Sequence, residues 1–270
     1  MQLFLKLLAL VTLTFILSAS TNSSSDYLFV NGTRLYFRQS QVFLSGVNFA
    51  WNSYASDFGN GQYSKNGAVL EAWIKDIAKS GGNVARIWLH CEGQNTPEFN
   101  SHGVPTAPDR DRTLISDLSQ FLDIAEFNNV FVILVLWNGA VGVNTRYKDL
   151  IMKDINLDAY LQNVLLPMVK AIKTKSALAA WEIMNEPEGL LEMVSDDNSC
   201  FDTAKMKPFG GGWTKSNISM QRVLNFINKH AATIKNEDPK ALVTLGSWHF
   251  MPQTDAFPSD TCGCCNVPTG

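Results

Sequence analysis

An excess of charge of either sign is missing from this chain of 270 residues: 25 acidic residues stand against 22 basic ones, leaving a formal net charge of −3. Nothing in that balance would hold a phosphate backbone, so nucleic acid is excluded as a partner. Charged residues make up only 17% and hydrophobic ones 46%, too apolar for a disordered chain and too charged for a membrane bundle. No Gly-x-Gly-x-x-Gly or phosphate loop follows any apolar run, which removes the usual nucleotide-binding devices. Cysteine is sparse: Cys91, Cys200, Cys262, Cys264 and Cys265 are too few for a disulfide scaffold. The run Cys262-Gly263-Cys264-Cys265 also lacks the separated pairs of a structural zinc site, and Asp196 and Asp197 lack the alternating oxygen ligands of a calcium loop. No metal and no organic cofactor is expected. A bridge from Cys200 to one of the last three cysteines fits better, and an odd count leaves at least one thiol unpaired within the chain.

What is present begins with a leader. Met1 to Lys6 carries a positive charge, Leu7 to Leu17 is apolar, and Ser18, Ala19 and Ser20 are small; residues 1–20 therefore read as a secretory signal peptide. A membrane anchor needs roughly 20 apolar residues, about twice this run, so no membrane partner is expected. Residues 21–270 should form one extracellular domain. The sequons at Asn22, Asn31 and Asn217 fit the same compartment. No interface pattern is visible, and a monomer is expected.

The chain then alternates. Leu28 to Val30 and Thr33 to Phe37 flank Asn31-Gly32, the signature of a hairpin with a type I′ turn. Apolar runs at 42–47, 84–89, 130–137, 178–184 and 241–245 are separated by segments with helical periodicity, carrying Leu70, Ile74 and Ile77, then Leu118, Phe121 and Leu122, then Tyr160, Val164 and Met168, then Val223, Ile227 and Ile234. Short, continuously apolar strands with helices between them require a parallel sheet buried on both faces, so the class is α/β. A (β/α)₈ TIM barrel is favoured over a doubly wound sheet, because no dinucleotide fingerprint is present and polar residues gather at the strand ends. Five units are found where eight are needed, so the prediction is an incomplete barrel.

The run Leu178 to Gly189, LAAWEIMNEPEG, delivers Asn185, Glu186 and Pro187 at a strand's C-terminal end, where barrel enzymes place their chemistry. A carboxyl group partly protonated by burial there is suited to general acid work. By itself, Asn-Glu-Pro is also what a solvated turn looks like.

GVNFAW at 46–51, NVARIW at 83–88 and WEIMNEPEG at 181–189, in that order and spacing, resemble the family 5 glycoside hydrolases. Among them, the secreted animal endo-β-1,4-mannanases are most similar, with LVTLGSW at 242–248 resembling their fifth strand. The resemblance implies that Glu186 is the acid/base of a retaining cleavage of mannan, that Asn185 bonds the sugar 2-hydroxyl, and that Arg86 orients the nucleophile; the plainer reading of Arg86 is a structural ion pair. Trp88, His90, Trp137, Asn138 and Trp248, at or just past predicted strand ends, would line the substrate cleft, whereas Trp51 and Trp181 fit packing. One departure stands out. The family's nucleophile is a seventh-strand Glu, and no residue here matches it; Glu182, Glu188 and Glu192 are too near Glu186 in sequence to face it across a barrel. The expectation is a β-mannanase catalytic domain, incomplete and inactive as this chain stands. An endo-β-1,4-glucanase and a non-catalytic glycan-binding product are the alternatives.

Overall fold

The computed structural model describes residues 26–248. The leader at 1–20, the Asn22 sequon and Cys262, Cys264 and Cys265 lie outside the described residues.

The chain enters through three short antiparallel strands, β1 (Leu28–Asn31), β2 (Arg34–Phe37) and β3 (Ser40–Val42). The hairpin is present, but its turn is shifted by one residue from the sequence expectation. Asn31 pairs with Arg34, so the central residues are Gly32 and Thr33, and of these only Gly32 has a positive φ, +61°. That is the glycine-first pattern, not a type I′ turn. Val42, expected to begin the first barrel strand, instead closes this small sheet.

The first two strands of the main sheet are β4 (Gly46–Asn48) and β5 (Val84–Cys91), followed by a two-stranded arm of β6 (Glu98–Phe99) and β7 (Pro105–Ala107). The main sheet then continues with β8 (Phe131–Asn138), β9 (Leu178–Asn185) and β10 (Val243–Gly246). Its five strands are parallel and hydrogen-bonded side by side in chain order. The helices are α1 (Tyr63–Lys79), α2 (Leu114–Phe127), α3 (Thr145–Met152), α4 (Asp154–Tyr160), α5 (Leu166–Ile172) and α6 (Met220–Glu237), with a π-helical turn at Leu161–Leu165 joining α4 to α5. Each large segment between neighbouring parallel strands carries at least one of these helices, as a parallel crossover demands.

One core lies between sheet and helices. Ala85, Ile87 and Leu89 of β5 and Val132, Leu134 and Leu136 of β8 join Leu70 and Ile74 of α1 and Leu118 and Phe121 of α2 in it. Trp181 of β9 is fully enclosed there, as expected of a packing residue. The opposite sheet face is capped at its lower end by a second cluster, in which Leu28, Leu35, Phe37 and Val42 of the hairpin sheet pack on Val84, Phe131 and Ala179. The hairpin thus seals one end of the sheet and leaves the strand C-termini open for chemistry. Helix starts are fixed by side-chain caps where chain direction matters most: Asn144 accepts from Tyr147 N at 2.9 Å to start α3, and Ser219 accepts from Arg222 N to start α6. No described helix is long and apolar enough to cross a membrane.

Candidate active site

Two opposite charges sit in otherwise apolar strands. Arg86 of β5 and Glu182 of β9 meet across β8 in a two-pronged pair, Nε to Oε2 at 2.8 Å and Nη2 to Oε1 at 2.5 Å. Two further guanidinium hydrogens go to Asn48 Oδ1 at 3.0 Å and Asn185 Oδ1 at 2.9 Å. Arginine suits this position because its planar fork is permanently charged and reaches four acceptor oxygens on three side chains at once. Both side chains are shielded, at 19% and 5% exposure, so the carboxylate in particular depends on the guanidinium in place of water. The close packing is possible only because residue 246 of β10 is glycine: a Cβ there would lie 2.0 Å from Glu182 Oε1.

Glu186 follows immediately. Its backbone is left-handed, φ +47° and ψ +57°, an uncommon state for a residue with a side chain. Its N–H donates to Gly246 O at 2.5 Å, and its carbonyl accepts from Gly189 N at 3.2 Å. Pro187 then opens a short 3₁₀ turn, Pro187–Gly189, so the strand stops one residue before the carboxylate. Gly139, at the end of β8, lets that turn come close; a Cβ there would stand 2.5 Å from Glu186 O. The Glu186 carboxyl is partly exposed. Burial raises its pKa above the usual carboxylate value, the charge of Glu188 adds to the rise, and Arg86 opposes it. A carboxyl shifted this way holds its proton further toward neutral pH, as a general acid must. Glu188 itself is buried and accepts from the Ser247 hydroxyl and from Trp248 N. Glu182 is held by Arg86. Among the described residues no group of three or more His, Cys, Asp or Glu side chains comes together as a metal site.

The sequence-predicted binding residues separate into two sets. Asn138 is buried beside Asn185 and receives its Nδ2–H at 3.0 Å. Trp88 is buried on the sheet face opposite the helices, with the Arg86 guanidinium 5.4 Å from its ring centre. Trp248 is exposed. His90 and Trp137 do not line a cleft: both are wholly enclosed, their rings 4.9 Å apart, and Trp137 Nε1 donates to His230 Nε2 at 3.2 Å. The cause is a break in register. Trp88 pairs with Val135 but Cys91 pairs with Trp137, so three residues of β5 run against two of β8, and the bulge turns both side chains to the helix-covered core. Burial lowers the pKa of His90 and of His230 to about 3, with the His230 charge adding to the effect on His90; both imidazoles are neutral core groups at ordinary pH.

Trp51, expected to pack, is instead exposed, edge-on to Trp88 at 5.0 Å and to Tyr54 at 4.8 Å. Trp213, which the sequence did not single out, lies 5.3 Å from Trp248 and is tied by Nε1 to Ala140 O at 2.8 Å. Two aromatic surfaces therefore stand by the strand ends, Trp51 with Tyr54 and Trp213 with Trp248. Glu182 was legible in principle, since an unexplained Glu inside LAAWEIMN asks for a cation and Arg86 is the matching anomaly in NVARIW. Glu92, which lies just past β5 and accepts from Asn138 Nδ2 and the Tyr54 hydroxyl, carries no such signal. Cys91 is buried as a thiol, its pKa pushed up to about 12 chiefly by burial.

No known family profile matches the chain. Individual relatives do. A mannan endo-1,4-β-mannosidase of Cryptopygus antarcticus is 51% identical over 239 residues, covering 88% of this chain and 63% of the relative. One of Mytilus edulis is 43% identical over 251 residues, covering 92% and 68%. The crystal structure of the β-1,4-D-mannanase from Cryptopygus antarcticus superposes with a TM-score of 0.84 at 50% identity, over 86% of this chain and 64% of that one. The chain thus spans about two thirds of the length of the proteins it matches, whose fold is the TIM barrel of glycoside hydrolases. With the parallel β/α order, the Asn185-Glu186 strand end and these identities in agreement, the chain belongs to the animal β-mannanases of glycoside hydrolase family 5.

Proposed function

We propose that this chain carries the acid/base half of a secreted, retaining endo-β-1,4-mannanase, working without metal or organic cofactor on extracellular mannan. The observation that carries the reading is Glu186: a carboxyl with a raised pKa, held at a strand's C-terminal end by Gly246 and Gly189. In the forward step Glu186 protonates the glycosidic oxygen as the bond to the anomeric carbon breaks; in the second step it takes a proton from the water that releases the sugar. A retaining cycle also needs an attacking carboxylate about 5 Å away, and none of the described residues is assigned that role. Asn185, with its Oδ1 held by Arg86, has one Nδ2–H left for a sugar 2-hydroxyl. The exposed rings of Trp51, Tyr54, Trp213 and Trp248 offer the flat apolar faces on which sugar C–H groups pack. The exposed sequon residues Asn31 and Asn217 agree with an extracellular site of action, and the near-neutral charge agrees with an uncharged polysaccharide partner.

The test pairs binding with turnover on the whole chain, expressed with its leader in a secreting host. Calorimetric affinities for mannohexaose and cellohexaose, and reducing ends released from galactomannan and carboxymethylcellulose, are measured side by side. Preference for the manno series supports the reading, as does loss of about 10²-fold or more of any galactomannan hydrolysis in Glu186→Gln. Preference for the gluco series in both assays overturns the substrate, and hydrolysis unchanged by Glu186→Gln removes Glu186 from the mechanism.

A further inference from the structure

A second buried carboxylate lies near the site without touching Glu186. Glu92 is only 3% exposed, and every oxygen of it is occupied. Oε1 accepts from Asn138 Nδ2 at 2.6 Å and from the Tyr54 hydroxyl at 2.7 Å; Oε2 accepts from Gln94 Nε2 at 2.5 Å and lies 2.9 Å from the same hydroxyl. Its backbone is anchored as well, with Asn144 Nδ2 donating to Glu92 O at 2.7 Å and Glu92 N donating to Gln94 Oε1 at 3.0 Å. A carboxylate this enclosed and this fully bonded does more than fill space.

Its bonds run toward the site as a directed chain. Asn138 Oδ1 accepts from Ala140 N at 3.0 Å and from Asn185 Nδ2 at 3.0 Å. Asn185 Oδ1 accepts from Arg86 Nη2 at 2.9 Å. Four side chains are thus linked in series, Glu92 to Asn138 to Asn185 to Arg86. An amide has a donor end and an acceptor end that are nearly identical in shape, so packing alone would let either asparagine turn over. Here the two ends of the series are chemically unambiguous: a carboxylate only accepts and a guanidinium only donates. With Ala140 N–H fixing the middle, each amide has one orientation that leaves no donor facing a donor. Reversing Asn138 would set its Nδ2 against the Ala140 N–H and its Oδ1 against Glu92; reversing Asn185 would set its Nδ2 against the arginine.

We infer that Glu92 is a positioning residue which, through Asn138, holds the Asn185 amide with its Nδ2–H toward the sugar. This rests on the proposed mannanase reading for what Asn185 contacts, and extends it to a residue that touches neither substrate nor acid. The remaining Nδ2–H of Asn185 is a donor, so the sugar hydroxyl it meets accepts and keeps its own hydrogen for another partner; turned over, the same site would present an acceptor and demand that hydrogen instead.

The experiment inverts the polarity and then restores it. In Glu92→Gln the new amide's hydrogens must face Asn138 Nδ2 or Gln94 Nε2, both donors. In Asn138→Asp two carboxylates share an enclosed space. In the double variant the amide introduced at position 92 would donate to the carboxylate introduced at position 138. That carboxylate still accepts from Ala140 N and Asn185 Nδ2, and the Tyr54 hydroxyl donates to it, so every group has a partner again. Mannohexaose affinity is measured by calorimetry, and the Asn185 side-chain amide is followed by ¹⁵N NMR in the absence of sugar. Each single variant should bind about 10-fold or more weakly and shift the Asn185 amide signals, and the double variant should return to within about 3-fold of the parent with parental signals. Single variants that bind like the parent with unmoved Asn185 signals, or a double variant as weak as the singles, overturn the proposal. Should a single variant fail to fold, Tyr54→Phe serves in its place. It removes one donor to Glu92 and one acceptor from Asn138 Nδ2, and unmoved Asn185 signals in it overturn the proposal equally. If the parent binds no mannohexaose the mannan reading fails, while the NMR comparison still decides the role of Glu92.

Discussion

The middle and the edges of the parallel sheet are built to different standards. β5, β8 and β9 are eight residues each and almost wholly buried; β4, with three residues, is exposed throughout, and β10, with four, is exposed at its centre. Beside each edge lies an apolar hollow. One of about 500 Å³ runs between β4 and α1, lined by Val47, Phe49, Trp73 and Ile77; the other, of about 670 Å³, lies between β10 and α6, lined by Ile183, Leu191, Val223, Ile227 and Leu245. The middle strands hold the charge pair and the amide series, yet two groups that complete the site come from the edges: Asn48 of β4 bonds Arg86, and Gly246 of β10 bonds Glu186. Burial at the centre and closure at the margins are therefore separate contributions to one site.

The sharpest way to break that contrast is to remove a central charge. Arg86→Ala strands Glu182 in a nearly dry environment and should cost about 3–5 kcal/mol, read from urea unfolding midpoints. By contrast Val47→Ser, on exposed β4, should stay within about 0.5 kcal/mol. Equal losses in the two variants would show that centre and edge are not distinct. Acid should expose the centre next. His90 and His230 have folded pKa values near 3, below the ordinary value of 6.5, so the unfolded chain binds protons first. Stability is then full above about pH 6.5 and falls toward pH 3, by about 1.4 kcal/mol per pH unit for each histidine. His230→Phe should flatten that limb in a thermal-unfolding series, and an unchanged slope would count against a neutral buried imidazole.

At the margin, Gly246→Ala forces a methyl into Glu182 Oε1 and should cost about 1–3 kcal/mol, with accelerated amide exchange in β9 as well as β10. Exchange confined to β10 would mean that the edge does not support the site. The smallest effect concerns Glu186. Its folded pKa is raised, so its contribution to stability is fully present below the unfolded carboxylate value and is lost as pH rises. Glu186→Gln removes that loss, and the variant should gain on the parent in melting temperature as pH rises above the ordinary carboxylate value. A gain in the opposite direction would show that the carboxylate is better solvated than its surroundings imply.

The sequence makes the central strands and their helices readable because continuous apolar runs and 3.6-residue periodicity follow directly from burial, and Glu186 is readable because Asn-Glu-Pro ends such a run. Its limits are equally physical. His90 and Trp137 look like cleft residues because they stand at or just past the ends of their apolar runs, and the bulge between Trp88 and Cys91 leaves no mark in the sequence. Trp51 is apolar wherever it lies, so its exposure depends on what fails to cover it. Glu92 and Asn138 are 46 residues apart and find each other only through adjacent strand ends. The Asn31-Gly32 turn slips by one residue because Gly32 suits the first position of the central pair as well as the second.

The bond from Glu186 N to Gly246 O has a consequence for biogenesis. The acid is synthesised 60 residues (246 − 186) before its backbone partner. While the chain grows from the ribosome, β5, β8 and β9 are all out and able to pair before β10 exists, yet Glu186 still lacks the acceptor that holds its left-handed turn. The turn that carries Glu186 therefore gains this holding bond only once β10 has been made and paired with β9.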